Sequence, residues 1–424
     1  MENYDVIVCG SGPAGIGAAI TAGRCGAKTL LIEKDGAVGG VATTGLMSHW
    51  TGTADSPLYK EILARSCAEE GRPFDENAIY IDPERLKIRF LNMLEEAGVA
   101  IRLYTFVSGA IKEGHTVCGV KTISKSGKER FYAHTVIDAT GDGDVAYFAG
   151  VPYTYGRESD HKAQPMTVMF KVGGVDYSKH TFVGSFETLF PTAKGELQAL
   201  GKQHLPFPAG HVLLYRSPIE GVVTCNMTNV IGYDGTNAAD LTKAEIECRK
   251  QIPKIVDFLR EFAPGYENCY LLSSASVIGV RETRHFKGKY TVTENDVYDC
   301  YPFEDWVVKG AKFNFDIHNI EGSGLDEHGL QAKYVQKGDG YFLPLRALLP
   351  AGTEGLILAG RCISGTHVAH SNFRVMPICL AMGESAGAAA AVAAKKDVAV
   401  SAVTAEEIRR AVFGKETGAF GNNR

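Results

Sequence analysis

The sequence predicts an α/β protein in which a mostly parallel sheet is interrupted by an inserted unit of α+β type. A strand–helix–strand pattern fills residues 4–34, and two further buried strands, at residues 135–139 and 355–359, each run into a glycine turn. The intervening residues 152–345 are richer in aromatic residues, prolines and short alternating runs. We therefore expect one domain from residues 1–151 and 346–424, and an inserted domain with a mixed or antiparallel sheet from residues 152–345.

The opening stretch carries a glycine motif. Residues 4–9 form an apolar run, as in a strand that is buried on both faces, and Gly10, Gly12 and Gly15 follow at once in the spacing G-x-G-x-x-G. A helical stretch at residues 16–24 and a second buried strand at residues 28–32 complete the unit, and Glu33 lies at its tip. This pattern indicates a Rossmann-like βαβ unit that binds a dinucleotide.

Each residue type in this unit has a physical role. Gly10 permits a tight turn, Gly12 lets a pyrophosphate approach the backbone, and Gly15 lets the helix pack close to the strand. The helix N-terminus presents free N–H groups and a partial positive charge to the phosphates. A carboxylate at Glu33 accepts hydrogen bonds from ribose hydroxyls and repels a 2′-phosphate, which favours FAD or NAD over NADP.

The next segment, residues 34–45, is a glycine-rich loop that contains Gly39-Gly40. Together with the opening motif, it resembles the FAD-dependent oxidoreductases of the glutathione-reductase-like, two-dinucleotide-binding flavoprotein superfamily, in the branch with thiazole-synthase-like and heterodisulfide-reductase-like relatives. The resemblance implies FAD as cofactor and a Rossmann-like FAD-binding domain whose parallel sheet carries a three-stranded antiparallel meander. Alternating runs at residues 110–123 and 130–134 fit that meander.

The remaining elements follow from local patterns. Asp82 and Pro83 are residues that begin a helix, and other helices are predicted at residues 60–70, 242–262 and 375–394. The stretch at residues 375–394 is rich in alanine and interrupted by Gly383, Glu384 and Gly387, so it predicts a buried helix and not a membrane span. Further strands are expected at residues 100–107, 166–172, 210–215, 221–230, 271–280 and 277–284, and a short helix in the tail at residues 397–424.

The resemblance assigns further residues to the cofactor. It places the turn Ala139-Thr140-Gly141 at the pyrophosphate, the backbone near Val107 at the adenine, and Gly360 at the pyrophosphate and ribityl chain. Arg361 stands where many relatives carry an acidic residue, so we expect a phosphate contact there. The expected FAD contacts are Gly10, Ser11, Gly12, Pro13, Ala14, Gly15, Glu33, Lys34, Gly39, Gly40, Val41, Ala42, Thr43, Val107, Ala139, Thr140, Gly141, Asp142, Gly360, Arg361, Arg374, Val375 and Met376.

Histidines are the main catalytic candidates because imidazole titrates near neutral pH and can move a proton as a hydride moves. The residues expected over the flavin ring are His49, His318, His367, His370, Arg374 and Tyr341. For His49 and His318 the alternative is a packing role in the core. Arg281 or Arg284 would fit a substrate carboxylate or phosphate, and the alternative is an Arg/Glu salt bridge between the domains.

Composition excludes several classes of function. The net charge of −5, the pI of about 6.2 and the lack of a basic patch predict no nucleic-acid and no membrane-surface partner. Ten cysteines show no CxxC pair and no Cys/His metal spacing, so we expect reduced thiols, no bound metal and no disulfide-reductase chemistry. Asp142 and Asp144 are interpreted as turn and cap residues. The glycine motif begins close to Met1, so we expect no signal peptide and a cytoplasmic location.

These observations predict an enzyme that transfers a hydride between flavin N5 and a small organic substrate, by alcohol or sugar oxidation or by C=C reduction. A flavin monooxygenase that uses an external reductant is one alternative. An FAD-carrying electron-transfer subunit of a larger complex is another. A redox partner protein, a homo-oligomer and attachment of the flavin to Cys362 stay open, although a buried thiol is the simpler interpretation of Cys362.

Overall fold

A seven-stranded sheet is the framework of the protein. The structure is a computed structural model, and it describes residues 3–74, 79–326 and 337–414. The strands are β1 (Asn3–Cys9), β2 (Thr29–Ile32), β3 (Ala100–Arg102), β4 (Phe106–Glu113), β5 (Thr116–Ser124), β6 (Gly127–Asp138), β7 (Tyr153–Tyr155), β8 (Phe170–Gly173), β9 (Pro191–Thr192), β10 (Gly195–Glu196), β11 (Leu214–Arg216), β12 (Val223–Cys225), β13 (Tyr270–Ser274), β14 (Arg284–Phe286), β15 (Trp306–Ala311), β16 (Tyr341–Pro344) and β17 (Leu356–Leu358). The helices are α1 (Pro13–Arg24), α2 (Pro57–Glu69), α3 (Pro83–Glu96), α4 (Asp144–Ala149), α5 (Leu197–His204), α6 (Ala238–Phe262), α7 (Glu294–Tyr298), α8 (Leu345–Leu348), α9 (His367–Phe373), α10 (Met376–Lys396) and α11 (Ala405–Phe413).

The main sheet confirms the predicted fold class. Its strand order is β3-β2-β1-β6-β5-β4, with β17 beside β6. The pairs β1–β2, β1–β6, β2–β3 and β6–β17 are parallel, and β4, β5 and β6 form the antiparallel meander. The strand predicted at residues 100–107 is divided into β3 and β4. The chain leaves the sheet at Tyr104, whose φ is 53°, and Thr105 donates its N–H to the Glu33 carbonyl over 2.9 Å.

Glycines allow α1 and α10 to pack backbone against backbone. A Cβ at Gly383 would lie 2.0 Å from the Ala14 carbonyl oxygen, and a Cβ at Gly387 would lie 2.2 Å from that of Ala18. Helix α10 is long and apolar enough to cross a membrane, yet 94% of its most apolar window is buried within the protein. The structure thus places this helix in the core, as the sequence predicts. Met376 and Cys379, near its N-terminal end, line a large cavity.

The inserted region contains a four-stranded antiparallel sheet of order β11-β12-β8-β13 and the long helix α6, with Pro253 inside it. Their buried residues form a core separate from the core around the main sheet. Strand β13 ends at Ser274, and the strands predicted at residues 271–280 and 277–284 are wrong over residues 275–283, which contain one isolated bridge, between Gly279 and Thr167. Residues 277–281 line the cavity instead. Strands β15 and β16 lie within the predicted inserted domain, residues 152–345, but they pack in the core around the main sheet. The domain boundaries therefore stay predictions. The end of the predicted tail, residues 415–424, lies outside the described residues.

Candidate active site

A cavity of about 870 Å³ is lined by residues of both the main sheet and the inserted sheet. This volume lies in the upper part of the range of small-molecule and cofactor sites. The loops that follow β1, β2, β6 and β17 all contribute to its wall. Because the carboxyl ends of parallel strands meet at one edge of a sheet, these four loops converge there.

The three motif glycines differ in what surrounds them. A Cβ at Gly15 would lie 1.8 Å from the Gly10 carbonyl oxygen, and a Cβ at Gly10 would lie 2.5 Å from that of Ala139. These two positions require glycine for packing. Gly12 lines the cavity, and no heavy atom of the described residues lies within 4 Å of a Cβ built there. The backbone at Gly12 is therefore open to a ligand.

Glu33 is held in place by the glycine turn. Its Oε2 accepts hydrogen bonds from the N–H of Ser11 over 2.8 Å and from the Ser11 hydroxyl over 2.6 Å, and its Oε1 accepts from the N–H of Asp35 over 2.9 Å. Glu33, Ser11 and Asp35 all line the cavity. The acidic tip is thus fixed at the cavity wall, where a ribose would meet it.

Asp138 organises the second glycine turn, and the sequence reasoning missed it. Its Oδ1 accepts from the Thr140 hydroxyl over 2.7 Å, and its Oδ2 accepts from the N–H of Ala146 over 2.8 Å. Burial raises the pKa of Asp138 to about 6. An acidic residue at the end of a buried strand, directly before the Ala139–Gly141 turn, is the signal that would have identified it.

Arg361, on the cavity wall, has a guanidinium group that is only partly hydrogen-bonded among the described residues. Its Nη2 donates to Oδ1 of Asp142 over 3.1 Å, and the Thr283 hydroxyl donates to the same oxygen over 2.8 Å. Its Nη1 is buried and has no hydrogen-bond partner among the described residues. A buried cationic donor in this state suits an anionic group such as a phosphate.

Most of the expected FAD contacts come together in the structure. Those on the cavity wall are Gly10, Ser11, Gly12, Pro13, Ala14, Glu33, Lys34, Gly40, Val41, Val107, Ala139, Thr140, Gly141, Asp142, Gly360, Arg361, Arg374, Val375 and Met376. Gly15, Gly39, Ala42 and Thr43 lie behind it. Thr43 donates its hydroxyl to the Val38 carbonyl over 2.6 Å, and Gly39 donates its N–H to the Ser11 carbonyl over 2.8 Å, so both shape the loop.

Only two of the six catalytic candidates, His318 and Arg374, line the cavity. His49 lies behind the wall, where its ring stacks on Tyr215 at 4.7 Å, and burial lowers its pKa to about 4. Tyr341 is fully buried in β16. His367 and His370 are buried in α9 and turn toward Glu282. Position near a cofactor motif in the sequence therefore does not place these four side chains in the cavity.

Four charged or titratable side chains form a cluster on the cavity wall. Arg374 donates from Nη2 to Oδ2 of Asp316 over 2.8 Å and to its carbonyl oxygen over 2.9 Å. His318 places Nε2 3.3 Å from the same Oδ2. Arg281 donates from Nη1 to the Pro165 carbonyl over 2.6 Å. The sequence reasoning named three members and missed Asp316, the carboxylate that contacts both Arg374 and His318.

At neutral pH, the cluster contains a neutral imidazole, that of His318, beside an excess of positive charge. Burial lowers the pKa of His318 to about 4, and the nearby Arg281 guanidinium adds to this effect. Burial lowers the pKa of Arg281 to about 10, so it stays protonated. Burial opposes ionisation of Asp316, but His318, Arg374 and Arg281 together lower its pKa. Two guanidinium groups thus face one carboxylate at neutral pH.

The second arginine in this stretch, Arg284, serves the fold. It donates to Oδ1 of Asp144 over 3.1 Å and lies over the Tyr147 ring at 4.2 Å. This is an ion pair, as the alternative interpretation expected, although with Asp and not with Glu. Cys362 is fully buried behind the wall, whereas Cys379 lines the cavity.

Comparison with known proteins gives a family for the chain. The family model described as FAD dependent oxidoreductase matches residues 5–412. Digeranylgeranylglycerophospholipid reductase 1 of Methanococcoides burtonii is 29% identical over 196 residues, which are 41% of this chain and 46% of that protein. The soluble pyridine nucleotide transhydrogenase of Chromohalobacter salexigens is 48% identical over 102 residues, 24% of this chain and 20% of that protein. The chain therefore spans less than half the length of these curated relatives.

Solved structures resemble the whole fold. A geranylgeranyl bacteriochlorophyll reductase-like protein of Thermoplasma acidophilum aligns with a TM-score of 0.50 and 15% identity, over 97% of this chain and 82% of that chain. The p-nitrophenol 4-monooxygenase of Pseudomonas putida aligns with a TM-score of 0.50 and 13% identity, over 97% and 84%. Identities this low show the fold alone. The cavity residues Gly12, Glu33 and Arg361 fit a dinucleotide. Because the family model covers residues 5–412, the chain belongs to the FAD dependent oxidoreductase family, with FAD as its cofactor.

Proposed function

We propose that this enzyme moves a hydride between its flavin and a small organic substrate that carries a negative charge. The observation that supports this proposal is the cluster of His318, Asp316, Arg281 and Arg374 on the cavity wall. Bound FAD supplies the hydride chemistry. The residues of this chain bind and orient the substrate and move the accompanying proton.

Arg281 and Arg374 are proposed to bind the anionic group of the substrate. A guanidinium matches a carboxylate or a phosphate with two parallel hydrogen bonds. Arg374 has a buried Nε without a hydrogen-bond partner among the described residues, so it retains a donor for a ligand. Asp316 offsets only one of the two positive charges, which leaves the cluster complementary to a monoanion.

His318 is proposed as the proton acceptor. It is neutral at neutral pH because burial and Arg281 disfavour its protonated form. A substrate anion seated on Arg281 would offset that positive charge and so raise the basicity of His318 when the substrate arrives. His318 would then take a proton from a substrate hydroxyl, or in the reverse direction return one to carbon or oxygen.

The cofactor contacts are also a proposal. Glu33 and Asp35 would meet the ribose, the Gly10–Gly15 turn and Arg361 the pyrophosphate, and Val107 the adenine. Support comes from the open space at Gly12 and from the buried Nη1 of Arg361 that lacks a partner among the described residues.

The test is an anaerobic screen of the FAD-loaded enzyme against hydroxy acids, enoates and sugar acids, each paired with its uncharged methyl ester or amide. We expect bleaching of the visible flavin absorbance with a charged member and much slower bleaching with its neutral partner. Equal rates for both members would contradict the anion requirement. Flavin reduction by NAD(P)H alone, followed by oxygen insertion, would indicate a monooxygenase. Reduction by a redox protein and by no small molecule would indicate an electron-transfer subunit.

A further inference from the structure

Behind the cavity wall, one carboxylate and three imidazoles form a buried cluster, here called the Glu282 cluster. It consists of Glu282, His285, His367 and His370, and each has at most 3% of its surface exposed. Oε1 of Glu282 lies 2.8 Å from Nε2 of His285, 2.7 Å from Nδ1 of His367 and 4.0 Å from Nδ1 of His370. Glu282, His285 and His370 each offer a ligand atom, and these three atoms all lie within 4.8 Å of one another.

The Glu282 cluster joins two segments that are distant in the sequence. Glu282 and His285 form an E-x-x-H pair at the start of β14, and His367 and His370 form an H-x-x-H pair on α9. Residues three positions apart on a helix lie on the same face, so both histidines of α9 point to one partner. Neither pair contains a cysteine, so a Cys/His metal spacing does not reveal them in the sequence.

Hydrogen bonding alone does not account for the Glu282 cluster. His285 and His367 each meet Oε1 of Glu282, but Nδ1 of His370 is buried without a hydrogen-bond partner among the described residues. Nδ1 of His285 is in the same state. Buried polar atoms are rarely left unpaired, because an unmade hydrogen bond does not offset the lost contact with water. A ligand that accepts an imidazole lone pair would remove this cost at His370.

We propose that Glu282, His285 and His370 bind a divalent transition-metal ion, with Zn²⁺ the first candidate, while His367 orients the carboxylate through its hydrogen bond to Oε1 of Glu282. Two imidazole nitrogens and one carboxylate oxygen are a donor set suited to Zn²⁺, whose tetrahedral shell a water molecule would complete. None of the four side chains of the Glu282 cluster lines the cavity, so a metal here would lie apart from the substrate. The metal would replace the proton that now bridges Glu282 to His285, so that proton leaves on binding.

This site would have a defined effect on the fold. It would tie β14 to α9, and Arg374 follows the last residue of α9 directly. A metal in the Glu282 cluster would thus fix the helix that delivers Arg374 to the cavity, without touching FAD or substrate. Its loss is expected to loosen this region and lower thermal stability.

The test measures metal in the intact FAD-loaded protein. The protein is loaded with Zn²⁺, passed through gel filtration and analysed by mass spectrometry for metal per chain, beside His370→Gln and the exposed-histidine control His115→Gln. We expect one Zn²⁺ per chain in the wild type and the control, and its loss in His370→Gln. Zinc K-edge X-ray absorption should show nitrogen and oxygen ligands at about 2.0–2.1 Å. A chelator should lower the melting temperature of the wild type and leave that of His370→Gln unchanged.

Three results would overturn the proposal. One is a wild-type protein that retains no metal and gives no heat on calorimetric titration with Zn²⁺. Another is equal metal content in His370→Gln and wild type. The third is a sulfur shell near 2.3 Å, which would assign the metal to cysteines. If His370→Gln fails to fold, as judged by circular dichroism, the wild-type titration and the absorption spectrum still decide.

Discussion

The ion pair between Arg374 and Asp316 joins the short link between α9 and α10 to the loop that carries His318. Nη2 of Arg374 donates to Oδ2 of Asp316 over 2.8 Å, and both side chains line the cavity. Through this contact, the charge of Asp316 is shared between Arg374 and His318. The contact therefore couples the proposed anion site to the proposed base.

Replacement of Arg374 should test that coupling. Arg374→Met removes one guanidinium and leaves Asp316 with His318 and Arg281, so the cluster loses its excess positive charge. We expect kcat/KM for a charged substrate to fall about 10- to 100-fold, because hydrogen bonds to charged groups contribute about 1.5–3 kcal/mol. The measurement is stopped-flow flavin reduction. Arg346→Met, which breaks a half-exposed surface pair with Asp305, should leave kcat/KM unchanged, and an equal loss in both variants would exclude a specific role for Arg374.

The pH dependence should identify His318. The neutral imidazole accepts the proton, so kcat/KM in the free enzyme falls as the pH drops through about 4, the pKa to which burial lowers His318. His318→Gln should reduce kcat by about 10²- to 10⁴-fold and abolish this acid limb. The pH–rate profile is recorded in both, with the exposed His204→Gln as control. An acid limb that persists in His318→Gln would assign the proton transfer to another group.

Two glycine variants should separate cofactor binding from folding. Gly12→Ala and Gly15→Ala each add one methyl group. The methyl at position 12 enters open space on the cavity wall, so we expect a folded protein that binds FAD about tenfold more weakly. The methyl at position 15 would lie 1.8 Å from the Gly10 carbonyl oxygen, so we expect loss of stability itself. Flavin fluorescence titration and the melting temperature of the apoprotein distinguish the two, and a tight-binding Gly12→Ala would refute the assignment.

Local patterns in the sequence predicted the fold well because the elements that build it have local causes. Each of these signals depends only on residues that are close together in the sequence: the glycine spacing of the first turn, the helix cap at Asp82 and the alternating pattern of the meander. Residues 277–281 are the exception, since Val277, Ile278 and Val280 are typical of a strand, but this segment lines the cavity.

The candidate site could be predicted only where a motif marks it. Asp316 and Arg374 are 58 positions apart, and Glu282 and His367 are 85 apart. Periodicity contains no information on such pairs, so it could not tell which of six candidates face the cavity. His49 was named for its nearness to the glycine loop, yet the chain turns its ring onto Tyr215. The cytoplasmic location and the lack of nucleic-acid and membrane partners stay predictions.

Glu384, in the core helix α10, should give the protein a pH-dependent stability. Its Oε1 accepts from the N–H of Leu58 over 3.0 Å, its Oε2 accepts from the Ser56 hydroxyl, and it is only 3% exposed. Burial raises its pKa from 4.5 to about 7. Between these values the unfolded chain releases the proton and the folded chain keeps it, so stability falls as the pH rises.

Glu384→Gln should remove this dependence. The glutamine stays neutral at every pH, so the wild type should lose up to about 3 kcal/mol relative to the variant between pH 4.5 and 7.5. Denaturant unfolding at both pH values gives the difference, with Glu406→Gln, at an exposed surface pair with Arg410, as the matched control. If the free energies of unfolding of the wild type and Glu384→Gln differ by the same amount at both pH values, the Glu384 carboxyl is already ionised in the folded protein. In that case, Ser56 and Leu58 would compensate its burial in full.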